Sequence, residues 1–288
     1  MKMLDRNITI KFQVGGTKMK KKIISLAVVF MTMISSIGFA AENNEHPDWG
    51  EDSSLSKQEI QKLIDDVGMD ESEINDYPVQ VLHQLIQNDA KKIATNYKVV
   101  KEEAIHGLSG EDIDGGTLEL RGTAFEEKSD KKGKKKFYLY GKYEWTDSPR
   151  WELTDGISIG YPVSNKWTLP MSANGKVKDF ELRYCHKPDN VDKKWKCSES
   201  TKAKDWDPGV GVGGEIDLKA MPSNNLHKGY ISQYVYTDER NSGSTNIKFQ
   251  YGHQTWSGDV EFVILPAGLS IKPQSVSKVI DFGIEFDY

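Results

Sequence analysis

Residues Ile280-Asp281-Phe282-Gly283-Ile284-Glu285-Phe286-Asp287-Tyr288 alternate apolar and polar without a break. A period of two puts Ile280, Phe282, Ile284, Phe286 and Tyr288 on one face of a strand and the acidic residues on the other. One face is buried and the other wet, as in an antiparallel sheet packed on a single side. Read back toward Gly115, the same alternation predicts strands over 117–125, 137–145, 157–161, 177–184, 230–237, 247–251 and 260–265, with Gly, Asn and Pro in the turns between them. The fold class expected is mainly β: an antiparallel β-sandwich over 106–288, preceded by a small helical segment over 55–105. A membrane barrel also alternates, but it wants lipid-facing apolar bands with polar lumen residues over many ten-residue segments. Here Lys248 and Gln250, or Asp281, Glu285 and Asp287, form the wet face, and the apolar face reads as a packed core.

Before Gly115 the period is that of a helix. Ser56 and Glu59 have capping-box spacing, Ile60, Leu63, Ile64 and Val67 line one face, and Gly68 ends the run. Asp70 and Glu73 repeat the capping spacing before Ile74. Pro78 opens a further pattern in which Val79, Leu82 and Ile86 share a face beside Leu85. Two or three short helices are expected over 55–95.

Residues 19–41 read as a secretory signal: Lys20, Lys21 and Lys22, an apolar stretch from Ile23 to Ile34 too short to span a bilayer, and small residues at Gly38 and Ala40. Cleavage is expected after Ala40, with Met19 read as the start, and residues 41–54 as a polar, acidic arm. The 288 residues carry 38 basic and 43 acidic groups. Removing residues 1–40 takes away seven basic and one acidic group, so the net charge moves from −5 to −11. Such an acidic chain is a poor partner for nucleic acid, where phosphate neutralisation supplies most of the affinity. The expected location is secreted, extracellular.

In an exported chain the two cysteines, Cys185 and Cys197, are expected to pair, pinning a hairpin across the Pro188-Asp189-Asn190 turn. Closing a loop of that size is worth about 3 kcal/mol in the chain-entropy model. A Cys/His metal site with His186 lacks a second paired motif, and the six histidines show no ligand spacing, so no metal and no cofactor are expected.

Gly156-Ile157-Ser158-Ile159-Gly160 matches the nucleophile elbow of α/β-hydrolases, but Pro162 follows where a helix should start, so Ser158 reads as a small strand residue. Gly209, Gly211, Gly213 and Gly214 lack the helix that a phosphate loop needs behind it, since Glu215 to Lys219 read as a strand, and they are expected to form a turn or bulge. Glu111, Asp112 and Asp114 do not have EF-hand spacing. Two of the many carboxylates could still face each other as a glycosidase pair. The sharpest charge feature is Lys128, Lys131, Lys132, Lys134, Lys135 and Lys136 around Gly133: a solvated hairpin that discourages edge pairing, or a docking tip for an anionic polymer or membrane. Tyr230, Tyr234 and Tyr236 share one strand face, either as cross-strand packing or as a platform for sugar rings.

The runs Leu55-Ser56-Lys57-Gln58-Glu59-Ile60, Gly68-Met69, Glu73-Ile74-Asn75 and Val81-Leu82-His83-Gln84-Leu85-Ile86 resemble the opening of a family of uncharacterised secreted proteins of Gram-positive spore-forming bacteria. So do the later pieces Lys136-Phe137-Tyr138-Leu139-Tyr140-Gly141, Trp206-Asp207-Pro208, His227-Lys228-Gly229-Tyr230, Phe249-Gln250-Tyr251-Gly252-His253 and Pro266-Ala267-Gly268. That family has no assigned activity, so the resemblance implies export and no functional residue. In export, size and layout alone the chain is also similar to large secreted bacteriocins. The function expected is that of a secreted, non-enzymatic binding protein for a cell-wall or membrane surface polymer or carbohydrate. The candidate contacts are Lys131, Lys132, Lys134, Lys135, Lys136, Tyr230, Tyr234 and Tyr236. A bacteriocin-like antibacterial protein and an extracellular hydrolase are the alternatives.

Overall fold

The computed structural model describes residues 49–50, 53–101, 116–164, 166–188, 194–220, 225–255, 258–274 and 277–288. The signal segment, most of the arm and the Glu111–Asp114 carboxylates lie outside these described residues. Three short helices lead: α1 (Lys57–Lys62), which widens into a π turn at Leu63–Val67, then α2 (Glu71–Ile74) and α3 (Val79–Gln87). The expected caps form. Ser56 Oγ accepts the Glu59 N–H at 3.3 Å, and the Glu59 carboxylate accepts the Ser56 N–H at 2.8 Å. Glu73 accepts the Asp70 N–H at 3.1 Å. Gly68 closes the first helical run at φ 83°, a conformation that a side chain would disfavour.

The strands are β1 (Lys91–Lys101), β2 (Thr117–Glu127), β3 (Lys134–Trp145), β4 (Thr154–Gly160), β5 (Trp167–Thr168), β6 (Phe180–Pro188) and β7 (Lys196–Ser200), followed by β8 (Asp205–Asp207), β9 (Gly211–Asp217), β10 (Asn225–Asp238), β11 (Ser244–Gln254), β12 (Phe262–Leu265), β13 (Gly268–Ile271) and β14 (Ser277–Asp287). One sheet runs β1-β2-β3-β10-β6-β7, with β5 also paired to β10. A second runs β14-β11-β4-β9-β8, and β12-β13 form a separate hairpin. Every pairing is antiparallel. The two sheets are open and stacked, a sandwich and not a closed barrel.

The core lies between them. Leu118, Leu120, Leu139, Trp145 and Ile231 of the larger sheet meet Ile157, Ile159, Phe249, Tyr251, Ile280, Phe282 and Ile284 of the smaller. The 280–288 alternation therefore predicts its own burial correctly. The helices cover the opposite face of the larger sheet, where Tyr77, Val81, Leu82 and Leu85 pack on Phe125, Tyr138, Tyr140 and Tyr230. The β12-β13 hairpin lies on the outer face of the smaller sheet: the positions of a Cβ at Gly156 and Gly252 fall within 3.3 Å of Ile271.

Two elements depart from the sequence reading. β1 lies within the stretch assigned to helices, 14 residues before the alternation becomes visible at Gly115. It is an edge strand paired only to β2, and its side chains are half-buried or exposed except Val100, so neither face had to become apolar. Of the glycine run, Gly209 lies in a turn as expected, whereas Gly211, Gly213 and Gly214 belong to the strand β9. A Cβ on Gly213 would stand 2.4 Å from the Phe262 ring, and one on Gly214 would stand 2.8 Å from Leu182. Glycine there lets the hairpin and the larger sheet close on the strand from both sides.

Candidate binding surface

The lysine cluster sits in the β2-β3 hairpin, and the fold divides it in two. Lys136 is turned inward: its ammonium is 2.9 Å from the Glu127 carboxylate and 3.9 Å above the Tyr234 ring. Burial pushes the Glu127 carboxyl up, against the pull of Lys136. Lys131 lies 3.6 Å over the Tyr236 ring while staying exposed, Lys135 donates to the Asn241 carbonyl at 3.3 Å, and Lys128 and Lys132 are exposed. Lys134 approaches Asp238 at 3.8 Å.

The ends of neighbouring strands add cations that the sequence reading did not single out. β5 pairs with the end of β10, Trp167 opposite Thr237, and this brings Lys166 beside Lys134 and the turn after β10. Lys134, Lys166, Arg240, Asn241, Thr168 and Asp238 line an open basin of about 420 Å³. Asp238 lies between two of its cations, 3.2 Å from the Arg240 guanidinium, and the hydrogen bonds from Arg240 hold its carboxyl below the usual range. One carboxylate thus positions a group of cations without matching their charge. Lys166 and Arg240 are isolated in sequence: the β3-β10 pairing brings Arg240 to Lys134, and the β5-β10 pairing adds Lys166.

The tyrosines are not an open platform. Tyr230 is fully buried beneath the helices, its hydroxyl donating to Glu181 at 2.7 Å. Tyr234 donates to Glu127 at 3.1 Å and accepts from Gln84 of α3 at 2.7 Å. Tyr236, buried under Lys131, donates to Asp130 at 2.8 Å. Burial and these carboxylates push all three phenols up. In this arrangement the row is the floor of the helical layer and of the lysine hairpin, with no ring face open to stack on a sugar.

Cys185 and Cys197 are directly opposite across β6 and β7 and form the expected disulfide. Beside it, Trp49 is buried, and its carbonyl accepts from Arg183 at 2.7 Å. The Lys228 ammonium lies between two indoles, 4.4 Å from the Trp49 ring centre and 4.3 Å from that of Trp195. The chain just before the helices is thereby fixed to the edge of the larger sheet.

Ser158 is buried in β4 opposite Gln250, in keeping with a strand residue. The buried carboxylates among the described residues are occupied within the fold. Glu73 holds Lys92 at 2.5 Å, and Asp155 accepts from Tyr251 at 2.6 Å, from His253 at 3.0 Å and from the Gln254 N–H at 2.9 Å. His227 sits 2.8 Å from Glu152 and 3.0 Å from the Tyr184 hydroxyl. Among the described residues, no group of three or more His, Cys, Asp or Glu is placed to hold a metal ion, and no helix is long and apolar enough to cross a membrane.

No protein-family model matches the chain, and no curated protein matches its sequence. Among solved structures it is similar to a pore forming protein, at 11% identity over 67% of this chain and 91% of that one, with a TM-score of 0.29. It is also similar to the Clostridium perfringens NetB toxin in its membrane inserted form, at 10% identity over 69% and 97% of the two chains, with a TM-score of 0.26. A third neighbour is Clostridium perfringens delta-toxin, at 6% identity over 69% and 93%, with a TM-score of 0.28. Scores this low carry neither fold nor function to this chain.

Proposed function

We propose that the protein is a secreted, non-enzymatic binding protein that docks an anionic cell-surface target through one end of its sandwich. The observation behind this reading is the basin in which Lys134, Lys166 and Arg240 converge from three separate connections, with the exposed Lys128, Lys131 and Lys132 beside it. In a chain of net negative charge, cations gathered from distant positions create a local field opposite in sign to that of the whole molecule, which orients an anionic partner toward that end. The signal-like segment over 19–41 supports export. An antibacterial role is the same reading with a bacterial envelope as the anionic surface, and it predicts that protein from the medium arrests lawns of related bacteria.

The test uses protein recovered from the medium and beads carrying polyphosphate or neutral dextran. Retention is expected on polyphosphate alone at low salt. A variant with Lys131, Lys132, Lys134, Lys166 and Arg240 all replaced by Gln should bind at least about tenfold more weakly, a difference of about 1.4 kcal/mol. Equal retention of variant and wild type, or equal binding to dextran, would remove the basin from the reading.

A further inference from the structure

The large apolar side chains exposed among the described residues are Tyr97, Val99, Val163, Ile264 and Leu265, and three of the five meet at one place. Ile264 and Leu265 end β12, and the Val163 N–H donates to the carbonyl of Pro266 in the hairpin turn at 3.2 Å. Ile264 is 53% exposed, Val163 52% and Leu265 40%, and Pro266 and Ala267 are exposed beside them. The hairpin sequence Phe262-Val263-Ile264-Leu265-Pro266-Ala267-Gly268-Leu269-Ser270-Ile271 has no charged residue, in a chain of which 28% is charged. Surface hairpins are ordinarily interrupted by charge, which protects them from association.

The tip is held in place from beneath. Leu269 and Ile271 are buried, the Leu269 N–H donates to Val210 at 2.9 Å, and Gly268 lies against the backbone of Tyr161. The exposed side chains are therefore presented on a supported element. They also stand at the basic end. Lys166, three residues after Val163, lines the basin with Lys134 and Arg240, and its ammonium lies 5.9 Å from the ring of Tyr288.

Resting on the reading that this end binds an anionic surface, we propose that the surface is a lipid bilayer, with Val163, Ile264 and Leu265 entering the headgroup–acyl boundary while the basin holds anionic headgroups. A hydrated polyanion would satisfy the cations but leave the apolar tip in water. A bilayer with acidic headgroups satisfies both, because apolar burial and electrostatic attraction add at its interface.

The experiment compares flotation with phosphatidylcholine vesicles, with and without phosphatidylglycerol, and retention on polyphosphate beads. Wild type is expected to bind the phosphatidylglycerol vesicles and the beads. The variant V163S/I264S/L265S, altered only at exposed side chains and checked for an unchanged Tm, should lose at least about tenfold on vesicles and keep its bead retention. The variant K134Q/K166Q/R240Q should lose both. A dye on Leu265→Cys, the sole free thiol beside the disulfide, should shift to the blue on vesicles. If wild type holds to beads and not to vesicles, or the serine variant binds vesicles like wild type with no dye shift, the bilayer is overturned and the anionic-surface reading stands. If wild type binds neither, both fall.

Discussion

His227 shows what a single residue contributes in this fold. It is buried between Tyr184 and Glu152, stacked in line with His186, and Asp155 also acts on it through the local field. Burial holds its imidazole below the ordinary 6.5, although the Glu152 and Asp155 charges pull upward. The unfolded chain therefore takes up the proton more readily than the folded one. The stability that His227 supplies is present above about pH 6.5 and is lost as the pH falls below it. His186 shifts in the same direction, by burial and by the charges of Lys196 and Lys219. The denaturant midpoint of wild type is expected to fall between pH 7 and pH 5, and that of H227Q, which keeps a donor for Glu152, to fall less. Parallel curves would show that His227 takes no part.

At the scale of elements, the disulfide is the clearest case. β7 is the five-residue edge strand of the larger sheet, paired only to β6, and the Cys185–Cys197 bridge ties the two at one register position. The double variant C185S/C197S is expected to lose about 3 kcal/mol of stability. Hydrogen exchange should rise first in β7 and in the backbone held by Trp49, and an unchanged melting curve would refute this. The bridge was legible from a lone pair of cysteines in a chain read as exported, and the helix caps from three-residue spacings. β14 was legible because one of its faces is core and the other is water. β1 was not, because at an edge no face has to become apolar, and β9 was legible only from Glu215 on, because its glycines answer to Phe262 and Leu182, which arrive from other parts of the chain. The tyrosine row was left open between cross-strand packing and a sugar platform for a related reason. Alternation says which residues share a face, and Gln84 and Asn88, about 150 residues earlier, decide whether that face is covered. Lys166 and Arg240 became neighbours only through a two-residue strand.

For the whole molecule, the helical layer and the sandwich are one cooperative object. Phe125, Tyr138, Tyr140 and Tyr230 are buried by the helices on one side of a sheet whose other side is core. A chain starting at Lys91 is thus expected to bind a hydrophobic dye strongly and to aggregate at concentrations where the full protein stays dispersed. A well-behaved fragment with no dye binding would contradict that. The packing of α3 on β10 also sets an order in time. Gln84 waits for Tyr234, and Trp49 for Lys228, so segments made early are among the last to find their places. Phe125, Tyr138 and Tyr140 come earlier, but until residues 225–238 emerge the helices lack Tyr230 and Tyr234, and their seat on the sheet is incomplete. Such long-range closure makes folding slow and leaves the emerging chain in need of protection. A protein built this way depends on the interval between the synthesis of its helices and the completion of β10, and its yield would be governed by whatever shields the helical segment during that interval.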